Sequence, residues 1–300
     1  MGESMRFICT ADWHLRATRP QCRIDEDWIL TQKNALNQIK KYSEKYDCNV
    51  YCIGDLFHAN SDVTFEVQNL VIDFANELCS HGHCLGIIAG NHDLPFHNSE
   101  NIKRSAIGVI LEARNVHYIL DCINDESQED ISAPNFDEEV ENKKFIFRHV
   151  LTFPNYKAVP FGVVDALTAK DLLEENKKAK WIFTGDYHRN FHYEKKGRHV
   201  INPGCLLRQA SDFEDYQPVV YFVDTEKEIV KELPINDSLE NMDTKYITVR
   251  NEREERISAF VESLSDSQVM TLDFVENVEK SLSSVDDEEL KETIKELIYE

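Results

Sequence analysis

The chain has 300 residues, 42% of them hydrophobic, which suffices for one large α/β domain or for a domain of about 200 to 240 residues with a small appendage. No apolar run approaches the roughly 18 residues that a membrane span needs, and the first residues show no secretory pattern, so we expect an intracellular protein with no membrane partner. The formal charge of −22 would disfavour a nucleic-acid partner if it were spread evenly. Residues 121–142, however, carry nine acids and no base, and residues 236–300 carry eighteen acids against seven bases. The rest of the chain is therefore nearly neutral.

Apolar, β-rich segments alternate with helical patterns through the first third of the chain. Predicted strands lie at 7–13, 49–57 and 84–92, and predicted helices lie around 27–46, 64–81 and 101–114. Strands and helices that alternate at this spacing indicate crossover connections and a mostly parallel sheet. Each strand ends in polar residues, and ligand sites in open α/β sheets lie at the carboxyl ends of the strands. We therefore expect a site at this edge of the sheet.

The β-rich pattern continues after an acidic interruption. Residues 115–120 predict a strand, and the acidic stretch 121–142 is interpreted as a flexible insertion. Further strands are predicted at 144–153, 181–188, 199–204 and 219–224, with a helix near 165–179. A predicted boundary around 235–243 separates the main domain, 1–238, from a small C-terminal region, 239–300.

The C-terminal region has a different pattern, which predicts a small α+β appendage. Residues 246–250, YITVR, are strand-like. An amphipathic helix is indicated by the spacing of Ile257, Phe260, Val261 and Leu264. A later apolar stripe consists of Leu290, Ile294, Leu297 and Ile298. That stripe either packs on its own domain or docks a partner.

Carboxylate, amide and imidazole side chains recur at the predicted strand ends, in an order that chance explains poorly. They are Asp12, His14, Asp55, His58, Asn91, His92, Asp93, His149, Asp186 and His188. In extended backbone Asp186 and His188 leave on the same face, because they alternate with Tyr187. A donor set of this kind without thiolates suits Mn²⁺, Fe²⁺ or Zn²⁺. Asp55 is the candidate bridge between two metals, because a carboxylate offers two oxygens.

Glycines and cysteines give two further expectations. Gly54 precedes Asp55 and allows a tight backbone turn at the strand end, and the same role is predicted for Gly90 and Gly185. The eight cysteines include no CxxC pair, which favours buried free thiols over disulfides or a zinc cluster.

These motifs together resemble a known family. The set D-x-H, GD, GNHD, a later lone histidine and a closing G-x-x-H is similar to the motifs of calcineurin-like metallophosphoesterases. GDLFH followed by GNHD resembles more narrowly the SbcD-like nucleases of DNA double-strand-break repair, cellular or phage-encoded. The resemblance covers roughly residues 5–225. It implies an α/β sandwich of mixed sheets flanked by helices.

The resemblance also implies a ligand set for two divalent metal ions, with Mn²⁺ expected foremost and Mg²⁺, Fe²⁺ or Zn²⁺ as alternatives. The family pattern assigns one ion to Asp12, His14, Asp55 and His188. It assigns the other to Asp55, Asn91, His149 and Asp186. The family usually has histidine where this chain has Asp186, so we expect a complete site with one added negative charge.

Further roles follow from the resemblance for residues that do not bind metal. His92 is expected to assist the leaving oxygen and His58 to position the phosphate, although either could be a structural histidine. Asp93 is expected to hold His92 in place. Arg208, in INPGCLLR, could contact substrate or be a surface arginine. Scattered cations that include Arg16 could form a broken basic rim, with ordinary surface charge as the alternative.

The leading functional hypothesis is a Mn²⁺-dependent DNA exonuclease and endonuclease, the nuclease subunit of an SbcCD-like recombination and repair complex. The expected partners are DNA, an SbcC-like ATPase docked on the tail and a second copy in a homodimer, in the cytoplasm or nucleoid. A phosphoesterase for small molecules or proteins would use the same fold and ligands. A catalytically weak scaffold subunit is the third interpretation.

Overall fold

The computed structural model describes residues 5–61, 63–119, 145–160, 163 and 166–243, with isolated positions of the C-terminal region up to residue 294. The chain divides into two compact units, Met1–Met242 and Asp243–Glu300. The predicted insertion at 121–142 lies outside the described residues. Among the helices of the described parts, none combines the length and the apolar character needed to cross a membrane.

Ten strands are described in the first unit, and they form two mixed sheets. The strand bounds are β1 Arg6–Thr10, β2 Asn49–Ile53, β3 Leu85–Ile88, β4 Val116–Tyr118, β5 Phe145–His149, β6 Trp181–Gly185, β7 Phe191–Lys195, β8 Arg198–Asn202, β9 Val219–Asp224 and β10 Ile229–Pro234. The larger sheet has the order β10-β9-β1-β2-β3-β4 and the smaller sheet the order β5-β6-β8-β7. Strands β1 to β4 are parallel neighbours, whereas β9 pairs antiparallel with both β1 and β10.

Four α-helices are described in this unit, and side-chain caps set where they begin. They are α1 Trp28–Tyr46, α2 Phe65–Ser80, α3 Ala106–Leu111 and α4 Ala169–Glu175. Asp27 and Thr64 accept backbone N–H bonds at the starts of α1 and α2. Thr168 and Asp171 form a capping box at the start of α4.

Alternation along the strands places two cores on opposite faces of the larger sheet. Phe7 and Cys9 of β1 point toward the smaller sheet, where they pack with residues such as Phe183. Ile8 points the other way, into the core under α1, α2 and α3. A third cluster lies between α4 and the smaller sheet. The predicted sandwich of mixed sheets flanked by helices is therefore confirmed.

Two predicted helices are shorter than expected. In place of one helix near 101–114, a 3₁₀ helix, Ser99–Arg104, precedes α3 and is separated from it by Ser105, whose side chain caps α3. In place of a helix near 165–179, α4 spans seven residues. In both cases a hydroxyl side chain bonds to backbone N–H groups at the first turn and fixes a later start.

The tail prediction is wrong at YITVR. Residues 245, 246, 248 and 249 are helical, not extended. Asp243 accepts hydrogen bonds from the backbone N–H groups of Lys245 and Tyr246, so an N-cap overrides the β-branched composition. Ile294 of the apolar stripe is buried. Leu297 and Ile298 of the stripe lie outside the described residues, as do Phe260, Val261 and Leu264 of the predicted amphipathic helix. The division at 238/239 stays a prediction.

Candidate metal centre

The carboxyl ends of strands from both sheets meet at one place. Asp12 and His14 follow β1, and Asp55 follows β2. The loops after these strands are joined, because the Asp12 N–H donates to the Gly54 carbonyl at 3.1 Å and the His14 N–H to the Asp55 carbonyl at 3.0 Å. His149 ends β5. The sheet topology therefore brings together residues that are far apart in the sequence.

Four of the predicted ligands have left-handed backbone. The φ angles are 48° at Asp12, 44° at His14, 50° at Asp55 and 76° at Asp186. Residues with a Cβ rarely adopt this region, and such strain persists where surrounding contacts hold it, commonly at functional sites. Each of these residues lies just past the end of a strand, so the turn directs its side chain toward the junction of the two sheets.

Asp55 belongs to two clusters of potential ligands. One consists of Asp12, His14 and Asp55, and the other of Asp55, His149 and Asp186; within each cluster the ligand atoms lie within 4.8 Å of one another. His188 is close to the first cluster, since its Nε2 atom is 3.1 Å from Nε2 of His14. A carboxylate shared between two ligand clusters is the arrangement that a bridged metal pair requires.

The surroundings of His149 require a cation or a proton. Its Nδ1–H donates to the Ile53 carbonyl at 2.7 Å, which leaves Nε2 on the side of the site. Nε2 is 3.0 Å from Oδ1 of Asn91, 3.3 Å from Oδ2 of Asp55 and 4.0 Å from Oδ1 of Asp186. Oδ1 of Asp12 is 3.9 Å away, so a neutral imidazole would point its lone pair at four oxygens. A metal ion shared by these atoms removes that conflict.

The charges of the cluster lead to the same conclusion. Asp12 and Asp55 are fully buried. Burial raises the pKa of Asp12 to about 7, with the His149 charge opposing the shift. Burial also acts to raise the pKa of Asp55, but the hydrogen bond and charge of His149 outweigh it and lower that pKa to about 2. One cation, His149, thus compensates Asp55 but not Asp12, and the remaining buried carboxylate is costly, so the residues present fit divalent metal ions.

The imidazoles of His58 and His92 lie next to this cluster. The ring centroid of His14 is 4.9 Å from that of His92 and 5.8 Å from that of His58. His92 is held at both ends, since its backbone N–H donates to Oδ1 of Asp55 and its Nδ1–H to the His58 carbonyl. Partial burial of the His58 ring and the Arg16 guanidinium lower the pKa of His58 to about 4. At neutral pH His58 is therefore an acceptor.

Asp93 has a different role from the one predicted. Its carboxylate accepts backbone N–H bonds from Leu56, Phe57 and Gly90 at 2.9–3.1 Å, and no bond to the His92 ring is formed. Asp93 thus holds together the loops that follow β2 and β3, including the one that carries Asp55. The sequence did not reveal this, because all three partners are backbone groups.

Replacing Asp93 by alanine is expected to destabilise the metal-free protein by about 3 kcal/mol, because three buried N–H groups lose their acceptor. Asp93→Asn keeps one acceptor oxygen and is expected to lose about half as much. Urea unfolding in EDTA measures both variants. A loss below about 0.5 kcal/mol for the alanine variant would show that the three bonds do not hold the loops.

The structure also contradicts a substrate contact by Arg208. Its side chain is 4% exposed, and its guanidinium bonds to the Asp237 carbonyl and lies 3.6 Å from the Asp237 carboxylate. Asp237 also pairs with buried Arg23, whose other carboxylate partner is Asp25. Arg208 is therefore part of an internal ion network, which stabilises the base of the loop after β8.

Cys205 is a residue near the site that the sequence assigned only to the buried thiols. Its Sγ atom lies within 4.8 Å of ligand atoms of His14 and His188. Burial raises the pKa of this thiol well above its usual range. The backbone bond from Cys205 N–H to the His188 carbonyl explains the proximity. A pairing between segments 17 residues apart left no local signal in the sequence.

Metal binding is expected to strengthen as the pH rises. In the metal-free protein a proton remains on Asp12 below about pH 7. His149 also carries a proton: burial lowers its pKa, but the interactions with Asp55 and Asp12 outweigh burial and raise that pKa to about 10. A bound ion must displace these protons, so affinity falls as the pH falls, by roughly tenfold per proton and pH unit. Calorimetry in buffers of different ionisation enthalpy measures the protons released. Release of none between pH 6 and 8 would contradict this account.

The family of the chain is shown by its sequence. A family model described as calcineurin-like phosphoesterase matches residues 5–213. The chain therefore belongs to the calcineurin-like phosphoesterase family, whose members are metal-dependent hydrolases of phosphate esters. Divalent metal ions are implied by that membership, and the Asp and His clusters fit them.

Individual relatives are more distant. Exonuclease subunit 1 of Enterobacteria phage T4 is 28% identical over 96 residues, and the match covers 31% of this chain and 27% of the length of that protein. Similar solved structures include a dimetal phosphatase from Danio rerio, at 11% identity, 78% and 99% coverage of the two chains and a TM-score of 0.42. An archaeal phosphodiesterase has 18% identity, 77% and 99% coverage and a TM-score of 0.39.

Proposed function

We propose that this protein is a Mn²⁺-dependent DNA nuclease, exonucleolytic and endonucleolytic, that hydrolyses phosphodiesters with a pair of metal ions. The observation that carries the hydrolytic part is the buried Asp55 carboxylate, which belongs to both ligand clusters. The choice of DNA is supported by the similarity of 96 residues to a phage exonuclease subunit.

Each ligand group has a definite place in this proposal. Asp12, His14, Asp55 and His188 would hold one ion, and Asp55, Asn91, His149 and Asp186 would hold the other. When bound, the ions neutralise charge on the phosphate oxygens and make water acidic enough to serve as a nucleophile near neutral pH. The Nδ1–H bond from His149 to the Ile53 carbonyl fixes which ring nitrogen is a ligand.

The neighbouring histidines divide two further tasks. The Nδ1–H of His92 donates to the His58 carbonyl, so Nε2 is the ring nitrogen through which His92 can assist the leaving oxygen. His58 carries no proton to donate from Nε2, because that atom accepts a bond from Arg16. It serves instead to position the phosphate. This division matches the roles that the resemblance implies.

The partners are part of the same proposal. We infer an SbcCD-like recombination and repair complex in the cytoplasm or nucleoid, with an SbcC-like ATPase on the C-terminal region 239–300 and a homodimer of the nuclease subunit. Support comes from the phage relative, which is one subunit of an exonuclease. The buried Ile294 supports the appendage as a packed element.

End-labelled linear duplex and single-stranded DNA, incubated with the purified chain and Mn²⁺, Mg²⁺ or EDTA, test the assignment. We expect degradation with Mn²⁺ and none with EDTA. Hydrolysis of a generic phosphodiester without cleavage of either DNA would move the assignment to a small-substrate phosphoesterase. Inactivity on all substrates would favour a scaffold subunit.

A further inference from the structure

Arg16 occupies a fixed position beside the metal centre. It follows Leu15, whose N–H donates to the Leu56 carbonyl and whose own carbonyl accepts from the His58 N–H. The side chain of Gln32, fully buried in α1, binds the Arg16 backbone twice, accepting from its N–H at 3.0 Å and donating to its carbonyl at 2.9 Å. A surface arginine on a mobile loop has no such clamp.

The guanidinium of Arg16 is not neutralised by an acid. Its Nη1 donates to Nε2 of His58 at 2.9 Å. Its Nε is buried and has no hydrogen-bond partner. Within the part of the chain that the structure describes, no carboxylate oxygen lies within 4 Å of Arg16, whereas Arg23, Arg189 and Arg208 all have one.

The position and the free donors together define a site for an anion. His58 links Arg16 to the site, because its ring stacks 5.7 Å from that of His92 and lies 5.8 Å from that of His14. Guanidinium groups bind phosphate through two parallel N–H bonds and keep their charge at any accessible pH.

We propose that Arg16 binds a phosphate group of the substrate and, through its bond to His58, orients that histidine toward the same phosphate. This rests on the proposed function only in naming nucleic acid as the source of the phosphate. The ligand chemistry is that of any phosphate ester. Arg16 is therefore a substrate-binding residue in addition to the ligand set.

Three variants of the full chain test the proposal: Arg16→Gln, Arg16→Lys and the control Arg6→Gln. Arg6 begins β1 at the end opposite the site and is exposed, so the control removes the same charge elsewhere. With a chromogenic phosphodiester and Mn²⁺, we expect Arg16→Gln to raise KM about tenfold or more and to change kcat less. Arg16→Lys should recover part of the loss, and Arg6→Gln should match the wild type.

A second readout is independent of turnover. Inorganic phosphate with Mg²⁺ should raise the thermal midpoint of the wild type and of Arg6→Gln, and this shift should be lost in Arg16→Gln. A wild-type KM together with an undiminished phosphate shift in Arg16→Gln would overturn the proposal. DNA cleavage by the wild type separates the two claims: its absence would remove the nuclease assignment, while the phosphodiester and thermal results still decide the role of Arg16.

Discussion

Asp55→Asn is expected to reduce phosphodiester hydrolysis by about a thousandfold or more and to remove the stabilisation that divalent metal ions give the wild type. Asparagine keeps the shape of the side chain and the oxygen that accepts the His92 N–H bond. It loses the second oxygen and the negative charge, so it cannot serve both ligand clusters. Because the change also removes the ion pair of Asp55 with His149, we expect the metal-free variant to be less stable than the wild type, and the metal-free measurement separates this loss from the loss of metal binding.

Asp47→Asn is the matched control for this variant. Asp47 has the same φ of 50° as Asp55, but it caps α1 and its side chain is 83% exposed. The comparison needs kcat/KM on a generic phosphodiester and thermal unfolding with and without Mn²⁺. Retention of a tenth or more of the activity by Asp55→Asn would show that a shared carboxylate is dispensable.

Gly90→Ala is expected to reduce activity about a hundredfold or more and to destabilise the protein by about 1–3 kcal/mol, as overpacking does. A Cβ on Gly90 would lie 2.1 Å from Oδ1 and 2.3 Å from the backbone nitrogen of Asp55. Backbone cannot give way as a flexible side chain does. The added methyl group therefore displaces the carboxylate that both clusters share.

The same measurements with Gly82→Ala provide the control. Gly82 has a φ of +83° and no atoms within 4 Å of an added Cβ, so its substitution strains the backbone without touching the site. We expect Gly82→Ala to lose about 1 kcal/mol of stability and no activity. Activity of Gly90→Ala within twofold of the wild type would contradict the close approach to Asp55.

Glycine roles illustrate what the sequence conveys. Gly54, predicted to allow a tight turn, has a φ of +84°. Gly90 and Gly185 were assigned the same role, but neither is among the positive-φ residues of the structure. They are needed because Asp55 and His149 approach closer than a side chain permits. The sequence shows where a glycine is, but the residue that approaches it follows another strand and cannot be identified from the local pattern.

The positions of the central strands could be predicted because burial on both faces leaves uninterrupted apolar runs, as in residues 50–53 and 181–183. The residues after those runs could be proposed as ligands for the same reason. Strands β7 and β10 carry charged residues at the sheet edges, as in FHYEK and IVKELP, and gave no such signal.

Long-range pairing explains the remaining errors. Arg208 could not be recognised as internal, because its carboxylate partner, Asp237, is 29 residues away and outside any motif. Arg16 presents the opposite case. Its sequence neighbours suggest ordinary surface charge, and only the buried Gln32 and the nearby His58 distinguish it. The residue type determines the chemistry of a side chain, but the fold determines which partner that side chain contacts.

The central claim is that one carboxylate, Asp55, joins two metal sites. Manganese content after equilibrium dialysis, combined with electron paramagnetic resonance of the loaded protein, tests it directly. The account predicts two Mn²⁺ per chain with a spin-coupled spectrum in the wild type, and loss of that coupling in Asp55→Asn. One Mn²⁺ per chain, or two that remain magnetically independent in the wild type, would contradict it.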